Sequence, residues 1–257
     1  MRERIRHNQQ MASAMLRKEG FAAREIEVLW QRFKADYFLR HTHTQIAWHC
    51  EHLLRMEDPT KPLVLISKKA TRGGTEVFVY TKDQPALFAT VVAELDRRNF
   101  NVHDAQIMTS KDGHVIDTFM VLDQHGEAID ESRHAAVIKH LTHVLEAGRP
   151  TKIKTRRTPN KLQHFNVKTK VDFLPTKGKK HTLMEFVALD TPGLLAKVGR
   201  TFADLNINLH GAKITTIGER AEDLFILTSD AGGRLSEEQQ DELRERLIEK
   251  LSDEVAA

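Results

Sequence analysis

The sequence predicts an α+β protein made of two copies of one small unit, each an antiparallel sheet with helices on one face, preceded by a helical segment. Residues 81–119 can be laid on residues 188–225 almost without a gap, and both stretches show the same order of strand and helix patterns. The first 56 residues carry helical periodicity alone. The expected organisation is a helical segment at 1–57, a first copy at 60–148, a basic linker at 149–162 and a second copy at 163–257.

The internal repeat is the strongest of these signals. At a displacement of 107 residues, eleven of 27 aligned positions are identical, where average composition would give about two. After a slip of one residue the match resumes with Asp117/Asp223 and Phe119/Phe225. Two copies of one domain explain this pattern most economically, and a repeat fixes the architecture before any single motif does.

Each copy begins with a strand followed by a helix. Runs rich in β-branched and aromatic residues at 76–81 and 183–189 predict the strands. An Asp-x-Pro sequence follows, in which Asp can cap a helix and Pro fits its first turn. Apolar residues then recur at three- and four-residue spacing. Asn99 and Asn206 are predicted to end these helices, because Asn tolerates the left-handed conformation of a C-terminal cap.

Two more strands and a second helix complete each copy. The predicted strands are 101–110 and 115–123 in the first copy and 207–217 and 223–229 in the second, and the helices are 132–147 and 236–251. A further strand-like run precedes each copy, at 63–67 and 165–174. We expect this preceding strand to fill the place of a trailing one, although the first copy could instead borrow residues 165–174. The order gives a sheet with helices on one face.

Composition and charge narrow the class of protein. The chain of 257 residues has 40% hydrophobic and 29% charged residues and a single cysteine, values typical of a soluble globular protein. The charged start MRERIRHNQQ does not resemble a signal peptide, and no apolar run approaches the ~20 residues of a membrane span, so a cytosolic protein is expected. Residues 149–180 contain eleven Lys or Arg and one acidic residue. We interpret this run as a solvated linker, with nucleic acid or an acidic partner as the alternative.

Histidine clusters raise the question of a metal site. The sequence HTHTQIAWHCEH gathers four histidines around Cys50, but the paired cysteine spacing of a zinc site is missing. His103-Asp104 is matched by His210-Gly211 in the second copy. A metal site that lost its carboxylate in one copy would not explain both, so we interpret these histidines as structural.

The order of elements, with Asp-x-Pro-Gly-Leu-Leu before a helix and Asn-x-Asn after it, resembles the ACT domain, a ferredoxin-like module that senses small ligands, often amino acids. More narrowly, TRGGTEVFVY, LDRRNFNVHDAQIMTSKDGHVIDTF and NLHGAKITTIGERAEDLF resemble the C-terminal part of the bifunctional PII-protein uridylyltransferase/uridylyl-removing enzymes, and the resemblance covers essentially the whole chain. It implies tandem ACT domains that regulate nitrogen signalling, glutamine as the signal, and the PII protein as a partner through the full-length enzyme. Residues 1–57 would be the end of, or the linker from, an HD-type domain.

The same resemblance implies catalytic domains whose motifs this sequence lacks. Neither the Gly-Ser pair with spaced aspartates that hold Mg²⁺ for nucleotidyl transfer nor the His/His-Asp/Asp metal set of the hydrolase is found. We therefore expect no catalytic residue, metal or cofactor in this chain, with Mg²⁺ needed only by the catalytic domains, and a regulatory rather than enzymatic role.

The loop before the helix of each copy is the predicted ligand site. A free amino acid carries a carboxylate, which a helix N-terminus attracts, and an ammonium group, which Asp190 could bind. Gly193 would let the backbone approach the ligand, whereas the first copy has Ala86 at that position. The resemblance to amino-acid-binding ACT domains adds Asn208, and we expect its side chain to matter more than that of Asn101. The candidate ligand residues are Asp190, Thr191, Pro192, Gly193, Leu194 and Asn208 in the second copy and Asp83, Pro85 and Asn101 in the first.

Three functions agree with these observations: the glutamine-sensing regulatory part of the uridylyltransferase, a free-standing ACT protein that binds another amino acid, and a basic nucleic-acid-binding protein. The two copies also present equivalent strand edges, which are unfavourable when unpaired. We therefore expect the copies to associate through sheet edges or helix faces, within one chain or in a homodimer. No membrane partner is expected.

Overall fold

The computed structural model describes residues 2–68, 73–148, 167–176 and 180–252. Within these ranges the chain forms eight helices and nine strands. It divides into two compact units, the first formed by Met1–Leu65, Phe78–Asp83 and Met108–Asp117 and the second by Ile66–Val77, Gln84–Ile107 and Thr118–Ala257.

The first unit is mainly helical, as predicted. Its helices are α1 (Arg2–Lys18), α2 (Ala23–Gln31), α3 (Ala35–Arg40) and α4 (His43–Leu54). Helix α4 begins with a capping box, in which Thr42 and Gln45 satisfy each other's backbone amides. A buried cluster with Leu16, Tyr37 and Ile46 at its centre holds the helices together and includes Phe78 and Tyr80 of the strand region.

The repeated part of the chain has the predicted order of elements in both copies. The first copy comprises β1 (Leu63–Ile66), β2 (Thr75–Lys82), α5 (Leu87–Asp96), β3 (Asn101–Gln106), β4 (His114–Leu122) and α6 (Glu131–Ala147). The second comprises β5 (Lys170–Leu174), β6 (Thr182–Leu189), α7 (Leu194–Asp204), β7 (Asn208–Lys213), β8 (Thr216–Ile217), β9 (Arg220–Thr228) and α8 (Glu237–Ser252).

The strands of both copies form a single sheet in the order β1-β2-β4-β3-β7-β9-β6-β5, with β8 paired to β9. Strand β5 pairs antiparallel with β6, so the strand before each copy does fill the outer place. The alternative in which the first copy borrows residues 165–174 is wrong, because this segment completes the second copy. The two copies meet where β3 pairs antiparallel with β7, as expected from their exposed edges.

The helix beginnings differ from the sequence prediction. Asp83 and Asp190 do not cap α5 and α7; the residues before these helices are Ala86 and Gly193, which have φ angles of 56° and 79° and make no side-chain cap bond. The reason is loop length, since three residues separate each Asp from the first helical residue. At the other end, Asn99 (φ 62°) adopts the predicted left-handed conformation. Asn206 (φ 53°) does the same.

Helices α5 and α7 of the second unit pack closely. A Cβ atom placed on Gly199 of α7 would lie 2.5 Å from Cδ1 of Phe88 on α5, a distance that no real contact shows. Glycine at this position therefore permits the helices to approach. The second copy has its own aromatic core, in which Phe202 and Phe186 both pack edge-on against Phe225.

Part of the sequence interpretation lies outside the described residues. This applies to the linker at 149–162 and to most of the basic run at 149–180. None of the described helices is long and apolar enough to cross a lipid bilayer.

Candidate functional site

A cavity of about 340 Å³ lies between the two copies, within the second unit. Its volume is in the range of small-ligand pockets. The second copy supplies the 190–194 loop, the first turn of α7 and residues of β9, while the first copy supplies part of α5 and the start of β3. The site is therefore composite, and neither copy alone forms it.

Five of the predicted ligand residues line this cavity: Asp190, Thr191, Gly193, Leu194 and Asn101. Four others, Pro192, Asn208, Asp83 and Pro85, do not belong to its lining. Asn208 instead donates from its side-chain amide to the carbonyl of Ser229, at 3.1 Å.

The sheet register explains why Asn101 rather than Asn208 reaches the cavity. Strands β3 and β7 run antiparallel, with Ala105 opposite Ala212. Continuing this register carries the start of β3 towards residue 216, whose hydroxyl donates to Asp190 at 3.3 Å. The start of β7 points to the other end of β3. Asn101 and Asn208 occupy equivalent positions in their own copies, and only the way in which the two copies pair distinguishes them.

One side of the cavity is suited to an anion. The first intrahelical hydrogen bond of α7 runs from the amide of Lys197 to the carbonyl of Gly193, at 3.0 Å. The amides of Leu195 and Ala196, which both line the cavity, precede that bond. First-turn amides have no acceptor within the helix, and the helix dipole adds positive potential there. A ligand carboxylate would be stabilised at this position.

Another part of the cavity lining is acidic, because it is formed by three carboxyl groups. Asp96, Asp190 and Asp223 all line the cavity, and of the described lining residues none is Lys or Arg. Asp223 is only 4% exposed, and its Oδ1 accepts a hydrogen bond from the amide of Thr215 at 3.2 Å. A cationic group is the natural counterpart of such a wall, because buried carboxylates are costly unless they are paired.

The electrostatics of the carboxyl pair Asp190 and Asp223 follow from burial. Burial raises the pKa of Asp223 to about 7, more than the hydrogen bond from Thr215 lowers it, and the neighbouring charge of Asp190 raises it further. Burial also raises the pKa of Asp190, against the hydrogen bond from Thr216 and with a contribution from Asp96. Ionising both carboxyls at once is thus unfavourable.

The sequence analysis interpreted His103 as structural, and the structure places it in the cavity lining. It occupies a β-bulge between β3 and β4, where the register shifts between Val102 and Asp104; such bulges re-aim side chains. Its Nε2 is buried and makes no hydrogen bond with any residue that the structure describes. Burial, together with the charge of Lys213, lowers the pKa of His103, which favours the neutral imidazole.

The equivalent histidine of the second copy has a hydrogen-bond partner that His103 lacks. His210 occupies the equivalent bulge of β7, and its Nε2 lies 2.8 Å from the hydroxyl of Thr228. In the first copy the corresponding residue, allowing for the slip of one, is Leu122, which cannot form that hydrogen bond. The unpartnered Nε2 of His103 instead faces Gly74, where an added Cβ would lie 2.8 Å from it, so glycine at position 74 leaves room for the ring.

Asp223 is the main site residue that sequence reasoning did not assign. The signal was available, because Asp117 and Asp223 are identical in the repeat and both are buried. In the first copy, Oδ1 of Asp117 accepts from the amide of Met108 at 3.1 Å, and burial, with the charge of Asp83 adding, raises its pKa. Each copy thus carries a buried carboxyl coupled to the Asp of its own loop.

A hairpin holds the loop of each copy. The amide of Asp190 donates to the carbonyl of Glu219 at 2.9 Å, and that of Asp83 donates to the carbonyl of Gly113 at 3.2 Å. In the second copy the hairpin tip is exposed, with Ile217 61% accessible.

In the first copy, the hairpin contacts the helical segment within the first unit. The Arg32 guanidinium forms hydrogen bonds with Asp112 and with the hydroxyl of Tyr80. The amide of Lys111 donates to the carbonyl of Arg32 at 2.8 Å. These hydrogen bonds therefore couple the position of this hairpin to the end of α2.

The histidine cluster of the helical segment is packed, in agreement with the sequence interpretation. His49 is buried, stacks on Phe78 with ring centres 4.0 Å apart, and lies 3.1 Å from the hydroxyl of Tyr37 through Nδ1. Burial raises the pKa of the Cys50 thiol to about 12, so it stays protonated. Within the described ranges, no three His, Cys, Asp or Glu side chains are arranged so that they could hold a metal ion.

Comparison with known families agrees with this architecture. Residues 182–247 match the ACT domain family, and residues 1–52 match the family described as uridylyltransferase GlnD fifth domain. The fold and these two matches together indicate a regulatory region with an ACT domain.

The relatives are more specific. The chain is 95% identical over all 257 residues to a bifunctional uridylyltransferase/uridylyl-removing enzyme of Vibrio parahaemolyticus and 90% identical to that of Vibrio campbellii. It is 78% identical over 253 residues to that of Vibrio cholerae. It spans 29% of the length of these relatives. Over its whole length the chain matches the C-terminal part of the bifunctional uridylyltransferase/uridylyl-removing enzymes.

Proposed function

We propose that this chain is the glutamine-sensing regulatory region of a bifunctional uridylyltransferase/uridylyl-removing enzyme that acts on a PII-type protein. The observation that supports it best is the composite cavity, which combines an acidic wall with a helix N-terminus. A free amino acid is a zwitterion with its two charges a few ångströms apart, and such a ligand matches both parts of the cavity. The names of the relatives supply the regulated activities.

Each part of glutamine has a counterpart in the cavity. The carboxylate would bind at the amides of Leu195 and Ala196, and the ammonium group between Asp190 and Asp223. The side-chain amide of Asn101 can both donate and accept, so it suits the carboxamide of glutamine. An acidic pocket without Lys or Arg is the opposite of a phosphate-binding groove, which argues against nucleic acid as the ligand of this site.

Regulation would work by population shift. A ligand shifts an equilibrium only by its differential affinity for the two states. Binding at an interface between copies makes the ligand sensitive to how the copies are arranged. Within the first unit, the hairpin that holds the first-copy loop also bonds to Arg32 of the helical segment.

Calorimetry with L-glutamine tests the proposal. We expect binding at micromolar to millimolar strength, about −4 to −8 kcal/mol. Asn101→Ala should weaken it by about 1 to 3 kcal/mol, because a buried ligand group would lose its partner. Asn208→Ala is the matched control, since its amide bonds to Ser229 and it does not line the cavity. Absence of binding to the wild-type chain would refute glutamine sensing by this region.

We also propose that this chain alone does not attach or remove uridylyl groups. Stabilising a transferring phosphoryl group requires metal ions or cationic side chains, and among the described residues that line the cavity there is neither Lys nor Arg. The test is an assay of the purified chain with a PII-type protein, UTP and Mg²⁺. Metal-dependent turnover above a blank would overturn the regulatory assignment.

A further inference from the structure

Asp223 differs from an ordinary buried aspartate. Only 4% of it is accessible, yet it lines the cavity. Its Oδ1 accepts from the amide of Thr215, while Oδ2 forms no hydrogen bond with any of the described residues. An ionised carboxyl on a residue with so little exposure is costly unless it is paired. Here that carboxyl belongs to a residue that a ligand in the cavity can reach.

The groups that face Asp223 do not supply a compensating positive charge. Asp190 lies in the loop after β6, Asp96 on α5 and His103 on β3. Helix α7 contributes no charged side chain to the cavity lining. Lys213 of β7 forms an ion pair with Asp104 at 3.1 Å and does not line the cavity. Of the described residues that line the cavity, none brings the permanent positive charge of a Lys or Arg to Asp223.

We propose that Asp223 binds the ammonium group of the amino-acid ligand and releases a proton when it does so, which makes the site respond to pH as well as to the ligand. The inference rests on the proposed function, because it needs an amino acid in this cavity. The exchange balances: the protonated carboxyl and the ammonium ion form a carboxylate–ammonium pair, and the proton passes to the solvent.

The pKa of Asp223 determines how many protons are released on binding and how strongly binding depends on pH. The pKa of Asp223 is raised to about 7 by burial, with the charge of Asp190 adding to it. An ammonium group nearby favours the ionised form and lowers that pKa again. If the ligand binds the ionised form alone, the binding constant rises about eightfold from pH 6 to pH 7.5, and about 0.9 proton is released per ligand at pH 6.

The test is calorimetry of L-glutamine binding to the full 257-residue chain at pH 6, 7 and 7.5. Each titration is run in two buffers of different ionisation enthalpy, and the difference in heat counts the protons released. We expect about 0.9 proton at pH 6 and about 0.5 at pH 7. Asp223→Asn keeps the shape and the acceptor for the Thr215 amide, and it should remove both the proton release and the pH dependence.

Asp117→Asn is the matched control. Asp117 is the equivalent buried carboxyl of the first copy and bonds to the amide of Met108, but it does not line this cavity. We expect this variant to keep the proton release of the wild type. Equal loss of proton release in both variants would mean that the protons do not come from this site, and the inference would be wrong.

A thermal-shift panel of the twenty amino acids, with N-acetylglutamine as a ligand without an ammonium group, separates the possible failures. Glutamine binding without proton release, or equal binding of N-acetylglutamine, overturns the role of Asp223 and leaves glutamine sensing intact. Proton-releasing binding of another amino acid supports the role of Asp223 and corrects the ligand. No stabilisation by any amino acid overturns both proposals.

Discussion

At the scale of single residues, the clearest difference between the copies is the residue before the first helix. Ala86 and Gly193 hold the same left-handed conformation, which costs an L-residue about 1 to 2 kcal/mol. Replacing alanine by glycine relieves that strain. It also increases the conformational entropy of the unfolded chain, which favours unfolding by about 0.4 to 1 kcal/mol.

Ala86→Gly should therefore stabilise the chain by about 0.5 kcal/mol, and Gly193→Ala should destabilise it by a similar or larger amount. Thermal unfolding of both variants beside the wild type measures this. A lower melting temperature for Ala86→Gly would show that the loop gains from the methyl group more than it loses in strain.

The buried carboxyl of the cavity makes stability depend on pH even without a ligand. The folded-state pKa of Asp223 is raised to about 7, above the unfolded value of about 3.9. The folded chain then binds the proton more tightly than the unfolded chain, so stability is fully present below about pH 4 and is lost as the pH rises to 7.

The Asp223→Asn variant should not lose stability in this way as the pH rises. We expect its melting temperature relative to the wild type to rise from pH 5 to pH 8. Asp230→Asn, on an exposed residue, serves as the control and should show no such trend. A difference between Asp223→Asn and the wild type that stays constant with pH would contradict the assigned ionisation.

At the scale of elements, the contact of Arg32 with the 110–114 hairpin joins the helical segment to the hairpin within the first unit. Burial disfavours ionisation of Asp112, but hydrogen bonds from Ser110 and Arg32 and the charge of Arg32 outweigh it and lower its pKa to about 2. The pair therefore stabilises the unit above about pH 4 and loses this contribution as the pH falls towards 2.

A double-mutant cycle of Arg32→Ala and Asp112→Ala measures this contact. Because about a third of each side chain is accessible, we expect a coupling free energy of about 1 kcal/mol at pH 7 and low salt. Additive effects of the two substitutions would mean that the pair does not hold the hairpin.

The contact between α5 and α7 gives a second prediction at this scale. Gly199→Ala would place a methyl group 2.5 Å from Phe88. It should cost about 1 to 3 kcal/mol through overpacking and also weaken ligand binding, since the cavity depends on how the copies meet. Gly199→Ala combined with Phe88→Leu should recover part of the loss in thermal unfolding. If the single variant is as stable as the wild type, the helices can separate at little cost.

At the scale of the whole molecule, the sequence was enough to predict the order of elements but not the composition of the site. The repeat located both copies, and Asn99 and Asn206 ended their helices as expected, because these features depend on local sequence. The cavity depends on which edges pair and in which register. Nothing within one copy distinguishes Asn101 from Asn208, and no local pattern shows that the carboxyl of Asp223 is buried.

The pairing of β3 with β7 has a further consequence. Ala105 faces Ala212, its own counterpart in the repeat, so a local twofold symmetry axis passes between them. The arrangement is that of a symmetric dimer whose two halves share one polypeptide. In such a dimer of separate chains every substitution appears twice, and both halves must tolerate it. In a single chain, alanine at position 86 and glycine at position 193 can coexist, because each half can change without the other.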